Sequence, residues 1–194
     1  MVDIYTIDDV LPHIAEDAGI YVADRGSYKV VDYAYVSDTT FTNPMTLECR
    51  GLKFAPNGEI IARPFHKFFN LFEREHIEDI DWAQPFTVLD KLDGSMIHPC
   101  QLDGELVFMT RGGITSQATE ALRHASEGVL SLCQNLLAQD ITPMFEYTGP
   151  ENRIVLAYEK PELTLLAARD LHTCLLYTSP SPRDQRGSRM PSSA

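Results

Sequence analysis

Two turn signals, Pro56-Asn57-Gly58 and Asp103-Gly104, stand between short runs of strand-forming residues, and they constrain the fold of this chain more than any other feature. A connection this short cannot carry a parallel crossover, so the runs on either side must fold back as antiparallel neighbours. Leu47 to Phe54 and Glu59 to Arg63 flank the first turn, and Ser95 to Leu102 and Glu105 to Arg111 flank the second. Tyr28 to Tyr35 reads as an earlier strand, while Pro143 to Tyr147 and Leu163 to Ala168 read as two later ones around a loop at Gly149 to Arg153. Phe86 to Leu89 reads as a short apolar strand leading into Asp90-Lys91. Between the strands, Ala118, Ala121, Leu122, Ala125, Val129, Leu132, Leu136 and Leu137 follow a helical period, which predicts one helix capped by Ser116 and ending near Asp140. Thr6 followed by Ile7, Val10, Leu11 and Ile14 predicts an N-terminal amphipathic helix with Thr6 as its cap, made irregular by Pro12. The expected class is α+β, and no internal repeat is present.

The 194 residues suffice for one domain with a core, and 44 % hydrophobic content fits a globular protein. The apolar runs are too short to span a bilayer, and the Met1-Val2-Asp3-Ile4 start lacks the regions of a signal peptide, which predicts a cytoplasmic protein. Cys49, Cys100, Cys133 and Cys174 form no C-x-x-C pair, and His13, His66, His76, His98, His124 and His172 are scattered singly, which argues against a zinc site and for reduced thiols. A formal net charge of -12 argues against broad, sequence-independent phosphate binding, so any nucleic-acid contact must be local. From Cys174 onward the composition turns to Ser, Pro and Arg without hydrophobic period, and the segment resembles translated sequencing-adapter DNA. Residues 174–194 are therefore expected to be a foreign, disordered tail behind a body of residues 1–173. Without the three arginines and one aspartate of that tail, the body carries 13 basic against 27 acidic side chains, a net of -14.

Lys91-Leu92-Asp93-Gly94-Ser95 places a lysine three residues before a glycine at a strand end. Alone this is an ordinary turn with a solvated neighbour. Four other segments change its weight: Leu47-Glu48-Cys49-Arg50-Gly51, Arg63-Pro64-Phe65-His66-Lys67-Phe68-Phe69-Asn70-Leu71, Phe145-Glu146-Tyr147, and Asn152-Arg153-Ile154-Val155-Leu156-Ala157-Tyr158. In order and spacing these resemble the bacteriophage T-even RNA ligase 1 family, over about Tyr28 to Arg169.

The resemblance implies an antiparallel-sheet nucleotidyltransferase domain, ATP-grasp-like in the manner of ligases, and a three-step reaction shared with DNA ligases and mRNA capping enzymes. A lysine attacks the α-phosphate of ATP, AMP passes to an RNA 5′-phosphate, and a 3′-hydroxyl displaces AMP. It assigns Lys91 as the nucleophile. An ordinary lysine is protonated at neutral pH and must become less basic before it attacks phosphorus. A metal ion, Arg50, Lys67 and Arg111 would disfavour the ammonium form by proximity while neutralising the phosphates.

By the same resemblance Arg50 and Lys67 grip the triphosphate, Tyr33 lies near the nucleotide, Asp93 and Gly94 shape the nucleophile loop, and Glu146 contacts ribose or a catalytic metal. Arg111 stands where the family usually has lysine, keeping the charge but not the geometry. Phe68 and Phe69 offer adenine a stacking face. Several have an ordinary alternative: Arg50 pairs with an acid, Lys67 is a solvated strand-end charge, Tyr33 is an alternating strand residue, one phenylalanine is core, and Glu146 pairs with Arg153. The implied cofactors are ATP and Mg²⁺ or Mn²⁺. The implied partner is RNA with 5′-phosphate and 3′-hydroxyl ends, tRNA in the family's usual repair role, in a phage-infected or bacterial cell.

Two further motifs of the family, a glutamate in a Glu-Gly-like strand and a Lys-x-Lys pair, do not occur here, nor does a C-terminal RNA-specificity domain. The nucleotidyltransferase domain is thus expected to be incomplete at its C-terminal end and the 194-residue chain to be inactive or nearly so. The alternatives are a non-catalytic nucleotide-binding remnant or an unstable truncated product, and, within the enzyme class, a DNA ligase or capping enzyme.

Overall fold

The computed structural model describes residues 2–15, 19–37, 40–41, 43–70, 73, 82–83, 88–173 and 175–178. Its two sheets are antiparallel throughout. The first has the order β1 (Ile20–Asp24), β2 (Lys29–Tyr33), β3 (Leu52–Phe54), β4 (Ile60–Ala62). The second has the order β6 (Glu105–Met109), β5 (Ser95–Leu102), β7 (Ile141–Thr148), β8 (Glu162–Asp170), β9 (Leu176–Thr178). The α+β expectation holds, and both turn signals join adjacent antiparallel strands.

The layers follow from strand alternation, since successive side chains of a strand point to opposite faces. On the outer face of the first sheet, Val31, Leu52, Phe54 and Ile60 pack against Ile7, Val10, Ile14, Met45 and Cys49 from the N-terminal helical segments. Between the sheets, Tyr28, Val30 and Ala62 meet Cys100 and Met109. On the outer face of the second sheet, Ile97, Phe108, Phe145 and Tyr147 lie under α3 (Ser116–His124) and α4 (Glu127–Leu137), through Ala118, Ala121, Leu122, Val129 and Cys133. Burying each large apolar side chain contributes about 1.5–3 kcal/mol, so these three clusters carry the fold. Cys49, Cys100 and Cys133 are buried. No helix among the described residues is long and apolar enough to cross a membrane.

Several boundaries differ from expectation, each for a local reason. Leu47 to Phe54 is not one strand: Asn43 accepts the Thr46 N–H at 3.0 Å and Pro44 opens a short helix, α2 (Pro44–Glu48), while Gly51 at φ +83° turns the chain before β3. The helix from Ser116 to Asp140 is two helices, because Ser126 caps a second start by accepting the Val129 N–H at 3.3 Å; Thr115, not Ser116, caps the first. The N-terminal helix splits into a 3-10 turn, Ile7–Asp9, and α1 (Leu11–Ile14) with Pro12 in its first turn. Thr6 is the cap residue, with the Asp9 carboxylate reaching back to the N–H groups of Tyr5 and Thr6 at 2.9 and 2.8 Å. Of Phe86 to Leu89, residues 86–87 lie outside the described residues, and Val88 and Leu89 form no strand and are exposed. β1 was not anticipated. Within the segment expected to be disordered, Leu176–Thr178 forms β9 by pairing Leu176 with Arg169 and Thr178 with Ala167; Cys174 and residues 179–194 lie outside the described residues.

A buried ionic knot ties the first sheet to the second. Glu48 Oε1 is 2.6 Å from Arg169 Nη2 and 3.2 Å from Arg63 Nη2, while Arg63 Nε donates to Glu48 Oε2 at 3.2 Å. Arg63 also donates to the carbonyls of His172 and Val2, and Arg169 to that of Pro64. Removing one partner would leave a buried charge uncompensated, at a cost of about 3–5 kcal/mol. The knot anchors both ends of the site: α2, which leads into Arg50, and the segment after β4, which carries Lys67 to Asn70.

Candidate active site

The Lys91 loop lies flat on the end of β7. Gly94 donates its N–H to Glu146 Oε1 at 2.9 Å, and a Cβ at Gly94 would overlap the Tyr147 carbonyl, so only glycine permits this approach. Asp93 Oδ2 accepts the N–H groups of Val155 and Leu156 at 2.7 and 2.6 Å, and the Asp93 N–H donates to the Tyr158 hydroxyl at 3.0 Å. Asn152 completes the clamp: its Nδ2 donates to the Tyr147 carbonyl at 2.7 Å and its Oδ1 accepts from Ser95 Oγ at 2.9 Å. The 152–158 loop is therefore pinned to the Lys91 loop by three residues, two of them, Asn152 and Tyr158, given no role by sequence reasoning. Their side chains lie inside one of the segments that carry the family resemblance, which is the signal that could have found them.

Electrostatics separate the two carboxylates beside Lys91. Burial raises the Glu146 carboxyl above the usual carboxylate range, with the Gly94 N–H and the Lys91 charge opposing the rise. The Leu156 and Val155 N–H groups hold the Asp93 carboxyl below that range. Lys91 itself is exposed, and its charge acts on both carboxylates. The expected cations lie along an adjoining rim.

Arg50 reaches that rim from the Gly51 turn. Its Nη1 donates to the Phe65 carbonyl at 3.4 Å and lies 3.9 Å from Met96 Sδ, and its guanidinium sits 5.1 Å from the centre of the Phe68 ring. Met96 is the register partner of Glu146, so Arg50 stands beside the strand position that carries the carboxylate. Arg111 lies next along the rim, its Nε 3.2 Å from Asp32 Oδ2 and its guanidinium 4.5 Å from the Tyr33 ring centre. Tyr33 packs edge-on to Phe41 at 5.0 Å, Phe41 lies 6.2 Å from Phe69, and Lys67 Nζ stands 4.6 Å over Phe69 with Glu73 at 3.9 Å. Tyr33, Arg50, Lys67, Phe69 and Arg111 thus form one cation and aromatic band, and Asp93, Gly94 and Glu146 gather around Lys91. Arg50 pairs with no acid among the described residues, and Glu146 is held by Gly94, not by Arg153. Lys67 is largely covered rather than solvated.

No group of three or more His, Cys, Asp or Glu that could hold a metal occurs among the described residues. A single carboxylate, Glu146, faces the Lys91 loop from the sheet. Mg²⁺ keeps several waters and uses one or two carboxylates plus substrate phosphates, so this donor set fits a phosphate-borne Mg²⁺ and not a protein cage.

Comparison with known proteins places the chain. A family model described as RNA ligase matches residues 48–185. A Thermovibrio ammonificans protein whose name carries the words RNA ligase is 31 % identical over 193 residues, covering 96 % of this chain and 51 % of that protein. RNA ligase 1 of bacteriophage TS2126 is 30 % identical over 154 residues, covering 73 % of this chain and 39 % of the phage protein. A protein of Autographa californica nuclear polyhedrosis virus, named for polynucleotide kinase and RNA ligase together, is 30 % identical over 155 residues, 68 % of this chain and 22 % of its own. The chain spans about half the length of the bacterial relative or less of the others. A match over residues 48–185 and these shared identities establish that this chain belongs to the RNA ligase family, of the phage ligase 1 type that its segments resemble.

Proposed function

We propose that the chain carries the adenylylating portion of an ATP-dependent RNA ligase, with Lys91 as the amine that takes AMP. The observation that carries the reading is the clamp on the Lys91 loop: Gly94 on Glu146, and Asp93 on Val155, Leu156 and Tyr158, present an exposed amine on a fixed backbone beside a band of cations. Fixing a nucleophile in this way lowers the entropy lost at the reaction.

In the first step the neutral Lys91 amine attacks the α-phosphorus of ATP. A P–N bond forms, the bond to the bridging oxygen of the β-phosphate breaks, pyrophosphate leaves, and the amine proton passes to solvent. Arg50, which pairs with no acid among the described residues, and Arg111, aimed by Asp32 through Nε, take phosphate charge, and Lys67 adds a point contact. Tyr33 and Phe69 supply flat faces for adenine. Glu146 holds the loop through Oε1 and turns its carboxylate to ribose or to Mg²⁺. A bound Mg²⁺ would supply positive charge at the phosphates, offsetting the carboxylates that surround Lys91. The RNA 5′-phosphate then takes AMP from Lys91, and a 3′-hydroxyl displaces AMP to seal the strand. Cleaved tRNA, or another RNA with such ends, is the proposed substrate class.

The test is labelling of the full-length protein with α-labelled ATP and Mg²⁺. Wild type is expected to become labelled, Lys91→Ala to lose all label, and a folded Glu146→Ala to lose at least tenfold in rate, as removal of a charge-bearing contact does. Labelling of Lys91→Ala would overturn the assignment, and unchanged labelling of Glu146→Ala would reduce Glu146 to a structural residue.

A further inference from the structure

Lys53 is fully buried at the centre of β3, with its side chain between the two sheets. Among the described residues no carboxylate is in bonding contact with its amine. Its hydrogen bonds run to two backbone carbonyls, Gly51 at 2.6 Å and Arg111 at 2.9 Å. Placing an amine here is costly, because a buried charge without a paired counter-charge is unfavourable and a hydrophobic side chain of the same volume would fill the space without that cost. What the amine reaches is informative. Gly51 follows Arg50, and Arg111 lies two residues beyond β6, so the two acceptors are the backbones that carry the two arginines of the rim.

The surroundings tighten the same junction. A Cβ at Gly51 would stand 2.7 Å from the Arg111 carbonyl oxygen, so the two backbones touch at the one place where Lys53 bonds both. Asp32 holds Arg111 Nε from the neighbouring strand through Oδ2, and its other carboxylate oxygen, Oδ1, is buried with no hydrogen-bond partner among the described residues. Tyr28 accepts the Ile114 N–H at 3.0 Å through its hydroxyl, fixing the turn just beyond Arg111. β3 and β6 belong to different sheets and share no ladder, so the Lys53 bonds form a polar tie across the gap between them.

We propose that Lys53 is a positioning residue, which staples the Gly51 and Arg111 carbonyls across the sheets and so sets the placement of the Arg50 and Arg111 side chains around the triphosphate. The proposal rests on the ligase reading. It assigns Lys53 no contact with substrate: its effect is on how well the rim binds ATP, and little on the chemistry at Lys91. Lys53→Met keeps the length and apolar volume of the side chain and removes both donors. Lys53→Gln keeps one amide donor.

The experiment measures lysyl-AMP formation against ATP concentration in full-length wild type, Lys53→Met and Lys53→Gln, with folding followed by circular dichroism. The expected result is a folded Lys53→Met with KM for ATP raised on the order of tenfold and a rate at saturating ATP within about twofold of wild type, and Lys53→Gln between the two. A folded Lys53→Met with wild-type KM overturns the proposal. So does a fall in saturating rate at unchanged KM. Failure of both variants to fold assigns Lys53 to the fold alone and overturns it as well. Wild type that takes no label refutes the ligase reading instead, and the Lys53 proposal falls with it.

Discussion

Lys53 also makes a prediction that needs no substrate. Burial draws its ammonium from the ordinary lysine value of 10.5 down to about 7, with the Asp32 charge opposing the fall. Between those two values the unfolded chain holds a proton at this position that the folded chain has released, so Lys53 makes stability rise with pH across that window. Below the lower value both states are protonated and the cost of the buried charge is felt in full. The groups around it are Asp32 on β2, His98 and Cys100 on β5, and Arg111 beyond β6. Burial pushes the Cys100 thiol up to about 12, which acts in the opposite sense at alkaline pH in wild type and variant alike. Comparison of urea midpoints at neutral pH and near pH 9.5 is expected to show a relative gain for wild type over Lys53→Met of a few kcal/mol, on the order of 1.4 kcal/mol per unit. Equal pH slopes in the two proteins would contradict a buried lysine of this kind. Lys91-Leu92-Asp93-Gly94 alone reads as an ordinary turn, and Lys91 and its proposed partners were legible in sequence only as candidates, through the resemblance of five segments read together. Lys53 and Asp32 were not: the Lys53 bond to Arg111 spans 58 positions, and a lysine in a strand looks the same whether its end is in water or in a carbonyl pocket.

At the scale of elements, the 91–95 loop is held by its pairing with the 152–158 loop. Asp93 takes two N–H groups of that loop into one carboxylate oxygen, an arrangement that keeps Val155 and Leu156 on the surface with their amides closed. Asp93→Ala is expected to open both amides to exchange, by tenfold or more, while the amides of β7 keep their protection. Unchanged exchange at Val155 and Leu156 would mean that the loop holds itself. Hairpins were readable because their turn chemistry is local, and β5 with β6 falls within two residues of its expected ends. The errors came where a capping residue outranked a period. The apolar stripe continues across Ala125 and predicts one helix, but Ser126 offers α4 its own N-cap, and Asn43-Pro44 starts α2 inside what reads as an approach to a strand. β1 was missed because Ile20 to Asp24 alternates only weakly: it is an edge strand whose pairing to β2 alone gives it order.

At the scale of the whole molecule, the proposed site draws on two antiparallel sheets, one contributing Tyr33 and the Gly51 turn, the other Met96 and Glu146. That architecture was only half legible, since a sequence gives the strands and their hairpins but not which faces meet. The relatives are longer than this chain, and two motifs of the family do not occur in it. We propose that residues 1–173 extended by a segment that carries the two absent motifs would form lysyl-AMP at least a hundredfold faster than the 194-residue chain, because a phosphate-contacting donor supplies on the order of that factor. Comparable rates would show that the described residues hold a working site by themselves. The central claim, that Lys91 is the adenylylated amine, is tested most directly by digesting the full-length protein after incubation with ATP and Mg²⁺ and locating the added AMP by peptide mass. The account predicts one AMP on the peptide that contains Lys91, released on addition of a 5′-phosphorylated RNA. An AMP found on Lys53, Lys67 or any other lysine, or a Lys91 peptide that stays unmodified while the protein seals RNA, would contradict it.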